Sequence, residues 1–391
     1  MQKKKLKIYL KGFFGHDNTG DDAILDTMLR SLFDEFEEPT INVVHDNPKY
    51  IEDKWPVKAI KSHFIRYIPS HIRALYKADF LIFGGGGLLP SDNPSSFLRL
   101  LLFFVFAKLL RVSYIIVYSI GIDPIQKKLS LLLARFIFNK LTDFNSVRDE
   151  YSYEELAKAR VKNIKIIFDP GFLAEEDDSE ACDVLRSFGI GTNDKYIIIA
   201  LTKPWDLEKE KAQSLRFNIY LDKMARIISS LYYLYDHLHF IFIPFKYPED
   251  KEIAELIKTK IKKSDRVHIA NLKNKHEVIR SLFKWTELVI AMRYHAVVFA
   301  ISEVRPVAGI SYSTKMDWLL DKTGLNRYSI RIGIRKTDFY KREFDPNYEE
   351  FLYKILLLLD EKNDAVMYIR SFYDEVLPSL VPISDIIDVF L

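Results

Sequence analysis

At 391 residues the chain is longer than one hydrophobic core usually serves, so two domains are expected. A content of 48% hydrophobic and 28% charged residues excludes a disordered chain, and a net charge of +3 gives no electrostatic footprint for nucleic acid. A single cysteine, Cys182, excludes an internal disulfide framework or a cysteine zinc site.

The chain opens with a lysine-rich stretch, but no apolar h-region follows it. Lys7-Ile8-Tyr9-Leu10 reads instead as a first strand, so no secretory signal is expected here. With the cysteine count this points to the cytoplasm. After Asp21-Asp22, Ile24, Leu25, Met28, Leu29, Leu32, Phe33 and Phe36 recur at helix spacing. Further strands are predicted at Phe80–Phe83, Tyr114–Tyr118, Phe144–Val147 and Ile164–Phe168 in the first half. Those of the second half are Tyr196–Ala200, Phe240–Ile243, Val267–Ala270, Leu288–Ala291 and Pro306–Gly309. They are apolar without clean alternation, as parallel strands covered on both faces should be. Phe97 to Leu110 is apolar almost all round, yet is too short to span a bilayer and carries Arg99 and Lys108. It reads either as a buried helix or as a face that touches membrane or a lipid-linked substrate.

The β–α alternation argues for an α/β chain of two Rossmann-like doubly wound domains, expected to face an interdomain cleft. The acidic stretch near Gly171 to Asp178 is the expected linker, dividing residues 1–174 from 175–391.

Ligands of open α/β sheets bind beyond the carboxyl ends of the strands. The unusual residues of this chain cluster at those positions. Gly12 to Leu25 reads GFFGHDNTGDDAIL, where Gly15 and Gly20 permit a tight turn and Asn18, Asp21 and Asp22 precede or open a helix. Its glycine spacing is not that of a dinucleotide or P-loop motif. Asp21 and Asp22 either meet a ligand or cap the helix. The run from Gly84 through Gly85 and Gly86 to Gly87 either lets a substrate approach or serves a close crossing of chain segments. Arg148 either clamps an anion or pairs with Asp149 or Glu150. Ala291-Met292-Arg293-Tyr294-His295-Ala296 follows a strand and opens a helix. Arg293 and His295 can both face a ligand there, and His295 is a general-acid candidate, or else a hydrogen-bonded structural histidine. Lys203, Tyr312 and Lys315 occupy equivalent loops, where a solvated lysine is the alternative for Lys315. His237 and His239 lack a carboxylate pattern for a metal, and none is expected.

Taken in order, GFFGHDNTGDDAIL, FGGGGLL, SIGIDPI, VRDEYS, FDPGF, TKPW, FIPF with Asp250 after it, MRYHAVVFA and ISYSTK resemble the polysaccharide pyruvyl transferase family. The resemblance implies a glycosyltransferase-B-like fold. It also implies phosphoenolpyruvate as donor, and as acceptor a sugar or lipid-linked oligosaccharide of a cell-envelope polysaccharide. The product would be a pyruvate ketal, formed without a separate cofactor. Arg148, Arg293, His295 and Lys315 carry over as its functional set, with Gly15, Asn18, Gly20, Asp21, Asp22, Gly85, Gly86, Lys203 and Tyr312 around the substrates. The expected station is the cytoplasm, with peripheral contact at the inner face of the membrane as a variant. Two rivals remain from sequence: a nucleotide-sugar glycosyltransferase, for which Glu303 is the candidate ribose acid, and a catalytically silent glycan-binding relative.

Overall fold

The computed structural model describes residues 5–64, 66–89, 93–191, 194–203, 211–332 and 347–391. Pro204 and Trp205 of the TKPW stretch lie outside them. The chain forms two compact units: Met1–Ala174 with Val376–Leu391, and Glu175–Glu375.

The first unit is built on β1 (Lys7–Lys11), β2 (Thr40–Val44), β3 (Lys58–Ile60), β4 (Phe80–Leu89), β5 (Tyr114–Ile122), β6 (Phe144–Val147) and β7 (Ile164–Ile166). All pairs are parallel, in the order β3-β2-β1-β4-β5-β6-β7. Helices cover both faces, so Ile8, Leu10, Phe80 and Ile82 bury into one apolar cluster while Tyr9, Leu81 and Phe83 bury into the other. The second unit repeats the plan with β8 (Lys195–Ala200), β9 (Leu238–Phe242), β10 (Val267–Ile269), β11 (Leu288–Ala291), β12 (Val307–Ser311) and β13 (Ile330–Arg331). They too are parallel, in the order β10-β9-β8-β11-β12-β13.

In each sheet the strand order reverses direction at one place, between β1 and β4 and between β8 and β11. Successive crossovers diverge there and leave a crevice at the carboxyl edge, the usual ligand position of such sheets.

Three expectations change. The glycine run is not a loop after β4 but its continuation, with an irregular register between Gly86 and Leu89 against β5. Residues 376–391, placed by sequence with the second domain, pack with the first. Ile383, Ile386 and Ile387 of the closing helix Ile383–Asp388 bury in the cluster of Leu25, Leu29 and Leu32, and Tyr118 Oη donates to the Val381 carbonyl (2.8 Å). The helix Pro94–Leu109 is not buried all round: Phe97, Leu100, Phe104 and Ala107 face the sheet, while Leu98, Leu102, Val105 and Leu109 face outward. Among the described residues no helix is long and apolar enough to cross a membrane.

Candidate functional site

In the second unit the crevice lies between the exits of β8 and β11. Ala291 is in register with Ala200, and Met292 N–H donates to the Ala200 carbonyl (2.9 Å), so the two exits run side by side. The chain then turns at Arg293, the N-cap of the helix Tyr294–Ser302. His295 sits in the first turn of that helix, with only 9% of its surface exposed. The backbone N–H groups of a first turn have no partner within the helix, so this end favours an anion.

Arg293 is held by Asp250, a buried residue of the helix Glu249–Lys260. Arg293 Nε donates to Asp250 Oδ2 (2.8 Å) and Nη2 to Oδ1 (2.5 Å). Asp250 also accepts from the N–H groups of Phe245 (3.1 Å) and Lys246 (2.9 Å). Burial works against the guanidinium charge, but the Asp250 carboxylate, with Tyr312 and Glu249 adding to it, outweighs burial and holds Arg293 firmly protonated. A guanidinium has five N–H donors, and the Asp250 fork engages one edge. Arg293 is therefore a positioned cation, and among the described residues its Nη1 edge is left for a second anion.

Other expected residues gather here. The Tyr294 ring stands edge-on to His295, with centroids 5.4 Å apart, and Lys315 Nζ lies 5.5 Å from the Tyr294 ring centre. Lys315 is in the first turn of the helix Thr314–Lys322, after β12. Lys203 follows β8, with its ammonium 6.0 Å from the Phe217 ring centre. Beneath the rim, Tyr220 Oη reaches the Thr202 carbonyl (3.2 Å) and Met292 Sδ (3.1 Å).

In the first unit the crevice lies between the exits of β1 and β4. Asn18, not Asp21 or Asp22, caps the helix Thr19–Glu35: its side chain accepts from Gly20 N–H (3.3 Å). Released from capping, Asp21 and Asp22 are buried in the first turn. Asn18 Nδ2 donates to Asp21 (2.5 Å). Burial, and then the charges of Asp21 and Asp17, push the Asp22 carboxyl up to about 7, against Lys54 and a hydrogen bond from the Gly15 backbone. Gly86 has φ +98°, and a Cβ there would stand 2.9 Å from Asp21 Oδ1, so glycine is what lets the end of β4 reach the acidic pair. Gly85 lies against Ile24 of the same helix.

Arg148 is 1% exposed and paired with carboxylates. Its Nη1 meets Asp169 Oδ2 (3.1 Å) and its Nε meets Asp149 Oδ2 (3.5 Å). Asp169 also accepts from Gly171 N–H (2.9 Å), and Asp149 caps the next helix through Ser152 N–H (2.6 Å). The guanidinium lies across Gly121, where a Cβ would be 2.6 Å from its nitrogens. Of the two sequence readings, the ion pair with Asp149 is present.

Glu303 ends the helix Tyr294–Ser302 and pairs with Arg280. It stands about 12 Å along the helix axis from the rim, so it is not placed as a ribose acid there. His239 lies near the start of β9, at the opposite edge of the sheet, sharing a hydrogen bond with His268 (3.1 Å). Asp250 and the acidity shift of Asp22 were not anticipated as site features. The only sequence signal for Asp250 was its position after FIPF.

The sequence profile of the family described as polysaccharide pyruvyl transferase matches residues 18–314. No curated protein sequence matches. Among solved structures, the S. aureus MnaA–UDP co-structure aligns with a TM-score of 0.59 at 12% identity, over 93% of this chain and 90% of that one. Anabaena Alr3699/HepE in complex with UDP and glucose aligns at 0.58 and 11% identity, over 98% and 99%. The UDP-GlcNAc 2-epimerase of Neisseria meningitidis bound to UDP-GlcNAc aligns at 0.57 and 12%, over 93% and 94%. At such identities the likeness shows the fold alone: two parallel sheets with interleaved helices, of glycosyltransferase-B type.

Proposed function

Since the chain belongs to the polysaccharide pyruvyl transferase family, whose reaction class is pyruvyl transfer onto polysaccharide, we propose that it uses phosphoenolpyruvate as donor and forms a pyruvate ketal on a sugar of an envelope glycan precursor. The observation that carries this reading is Arg293, locked by Asp250 at the N-cap of a helix whose first turn holds His295, at the reversal point of the second sheet.

A donor with a phosphate and a carboxylate needs paired cations where water is thin. Arg293 offers its Nη1 edge, the helix start offers N–H groups, and Lys315 and Lys203 add positive charge. His295 then delivers a proton to the methylene carbon of the enol ester. Positive character grows on the adjacent carbon, and a sugar hydroxyl bonds to it. The carbon–oxygen bond to phosphate breaks, and a second hydroxyl of the same sugar closes the ketal. Of the two hydroxyl protons, one balances the proton now on the methyl group and one leaves with phosphate.

The test is incubation with phosphoenolpyruvate and candidate glycan acceptors, followed by mass spectrometry and phosphate release. A gain of one pyruvate ketal with stoichiometric phosphate is expected. Consumption of a nucleotide-sugar with nucleoside diphosphate release would replace this reading with glycosyl transfer. Acceptor binding without consumption of phosphoenolpyruvate would replace it with glycan binding.

A further inference from the structure

The near-neutral total charge conceals a local bias. Residues 61–142 contain eleven Lys and Arg (Lys61, Arg66, Arg73, Lys77, Arg99, Lys108, Arg111, Lys127, Lys128, Arg135 and Lys140) against three carboxylates (Asp79, Asp92 and Asp123), whereas the whole chain carries 57 against 54. This stretch also holds the two helices Pro94–Leu109 and Lys128–Lys140, and neither contains an Asp or Glu. The two helices pack side by side against the same face of the first sheet, through one shared core.

Their outward faces are apolar. Leu98, Leu102, Val105 and Leu109 recur at spacings of four, three and four residues, and Leu129, Leu132 and Phe136 at three and four, so each set forms one stripe. Leu102 is 59% exposed, Leu109 75% and Leu132 62%. Single exposed leucines are ordinary, but seven large apolar side chains on two neighbouring helices form a patch. Arg99, Lys127, Lys128, Arg135 and Lys140 stand exposed on the same two helices and the turn before the second. Of the nearby acids, Asp143 engages Lys108 (2.9 Å).

We propose that this face of the first unit docks onto a bilayer surface rich in anionic lipid, with the leucine stripes in the acyl boundary and the flanking cations among the headgroups. The chemistry favours lipid over a protein partner. The apolar stripe is flanked by basic residues on helices without carboxylates, the arrangement of an interfacial helix, and long basic side chains can reach headgroups from a buried backbone. No spanning segment is needed. The proposal stands apart from the donor chemistry and requires only the surface.

The full chain is mixed with vesicles of phosphatidylglycerol and phosphatidylcholine, or of phosphatidylcholine alone, and floated on a density gradient. Recovery with the anionic vesicles is expected, with little on the neutral ones. L102E/L132E should reduce recovery about tenfold or more, and K127E/K128E should reduce it and flatten its salt dependence. Circular dichroism checks that the variants fold. L109S is the substitute should L102E/L132E not fold, since Leu109 is the most exposed of the stripe. Wild-type protein that fails to float, or that floats equally with neutral vesicles or with the leucine variants, overturns the proposal. So does a wild-type dimer in sedimentation velocity that L102E/L132E converts to monomer, because the face is then an interface between copies.

Discussion

Asp22 offers the sharpest test of the electrostatics in the first unit. In the unfolded chain its carboxyl titrates near 3.8, whereas in the fold burial, Asp21 and Asp17 push it to about 7. The folded state therefore holds the proton more tightly than the unfolded state. Below the unfolded value Asp22 exerts no penalty. As pH rises from there through about 7 the unfolded chain ionises first, and stability is lost until both states are ionised. A tenfold change in proton affinity corresponds to about 1.4 kcal/mol, so the full cost of the charge is about 4 kcal/mol. Asp22→Asn removes that cost, and its amide oxygen can still accept from the Gly15 N–H. The variant should gain less than about 1 kcal/mol over wild type near pH 4, rising to about 4 kcal/mol near pH 8.5. Urea unfolding of both proteins at several pH values, read as midpoint and slope, measures this difference. A gain that stays flat with pH would show that Asp22 is ionised normally in the fold, and the reasoning from burial and like charge would fail.

Three further outcomes follow from the same geometry. His295→Ala should lower turnover about 10²–10⁴-fold while leaving the unfolding midpoint close to wild type; unchanged turnover in a folded variant removes His295 from proton transfer. Asp250→Asn should destabilise by about 2–4 kcal/mol and weaken phosphoenolpyruvate binding in isothermal titration, because Arg293 loses its charged partner and its fixed direction; an unchanged affinity would show that the Asp250 fork does not set up the anion site. Arg148→Ala should cost about 3–5 kcal/mol, since it leaves Asp149 and Asp169 buried without a cation; full stability with lost activity would instead make Arg148 a direct substrate ligand.

Much of the architecture is legible because buried parallel strands write themselves as apolar runs. Leu288–Ala291 and Tyr196–Ala200 stand out against polar flanks, and the odd residues after them sit where ligands bind. The strands β2, β3 and β13 escape this signal. Thr40–Val44 carries Thr and Asn among its apolar residues, Lys58–Ile60 is too short for a periodicity window, and Ile330–Arg331 exists only because β12 offers an edge. Their existence depends on pairing, a property of the assembled sheet.

The site divides along the same line. Arg293 and His295 are visible because their chemistry is local: a strand end, a cap and a first helical turn within five residues. What those residues can do is not local. The partner of Arg293 lies 43 residues earlier, and the sheet order β9-β8-β11 brings it there. Arg148 shows the reverse: an arginine at a strand end looks open until Asp169, 21 residues later, closes over it. In the first loop Asn18, Thr19, Asp21 and Asp22 are all competent caps by type, and once Asn18 takes the role the two carboxylates are left buried beside each other. The raised pKa of Asp22 is thus a by-product of which neighbour wins the cap. The helix Pro94–Leu109 makes the point for surfaces. A segment apolar all round has no amphipathic period to announce which side meets the core, so its outward leucines become visible only when the sheet has claimed Phe97, Leu100 and Phe104.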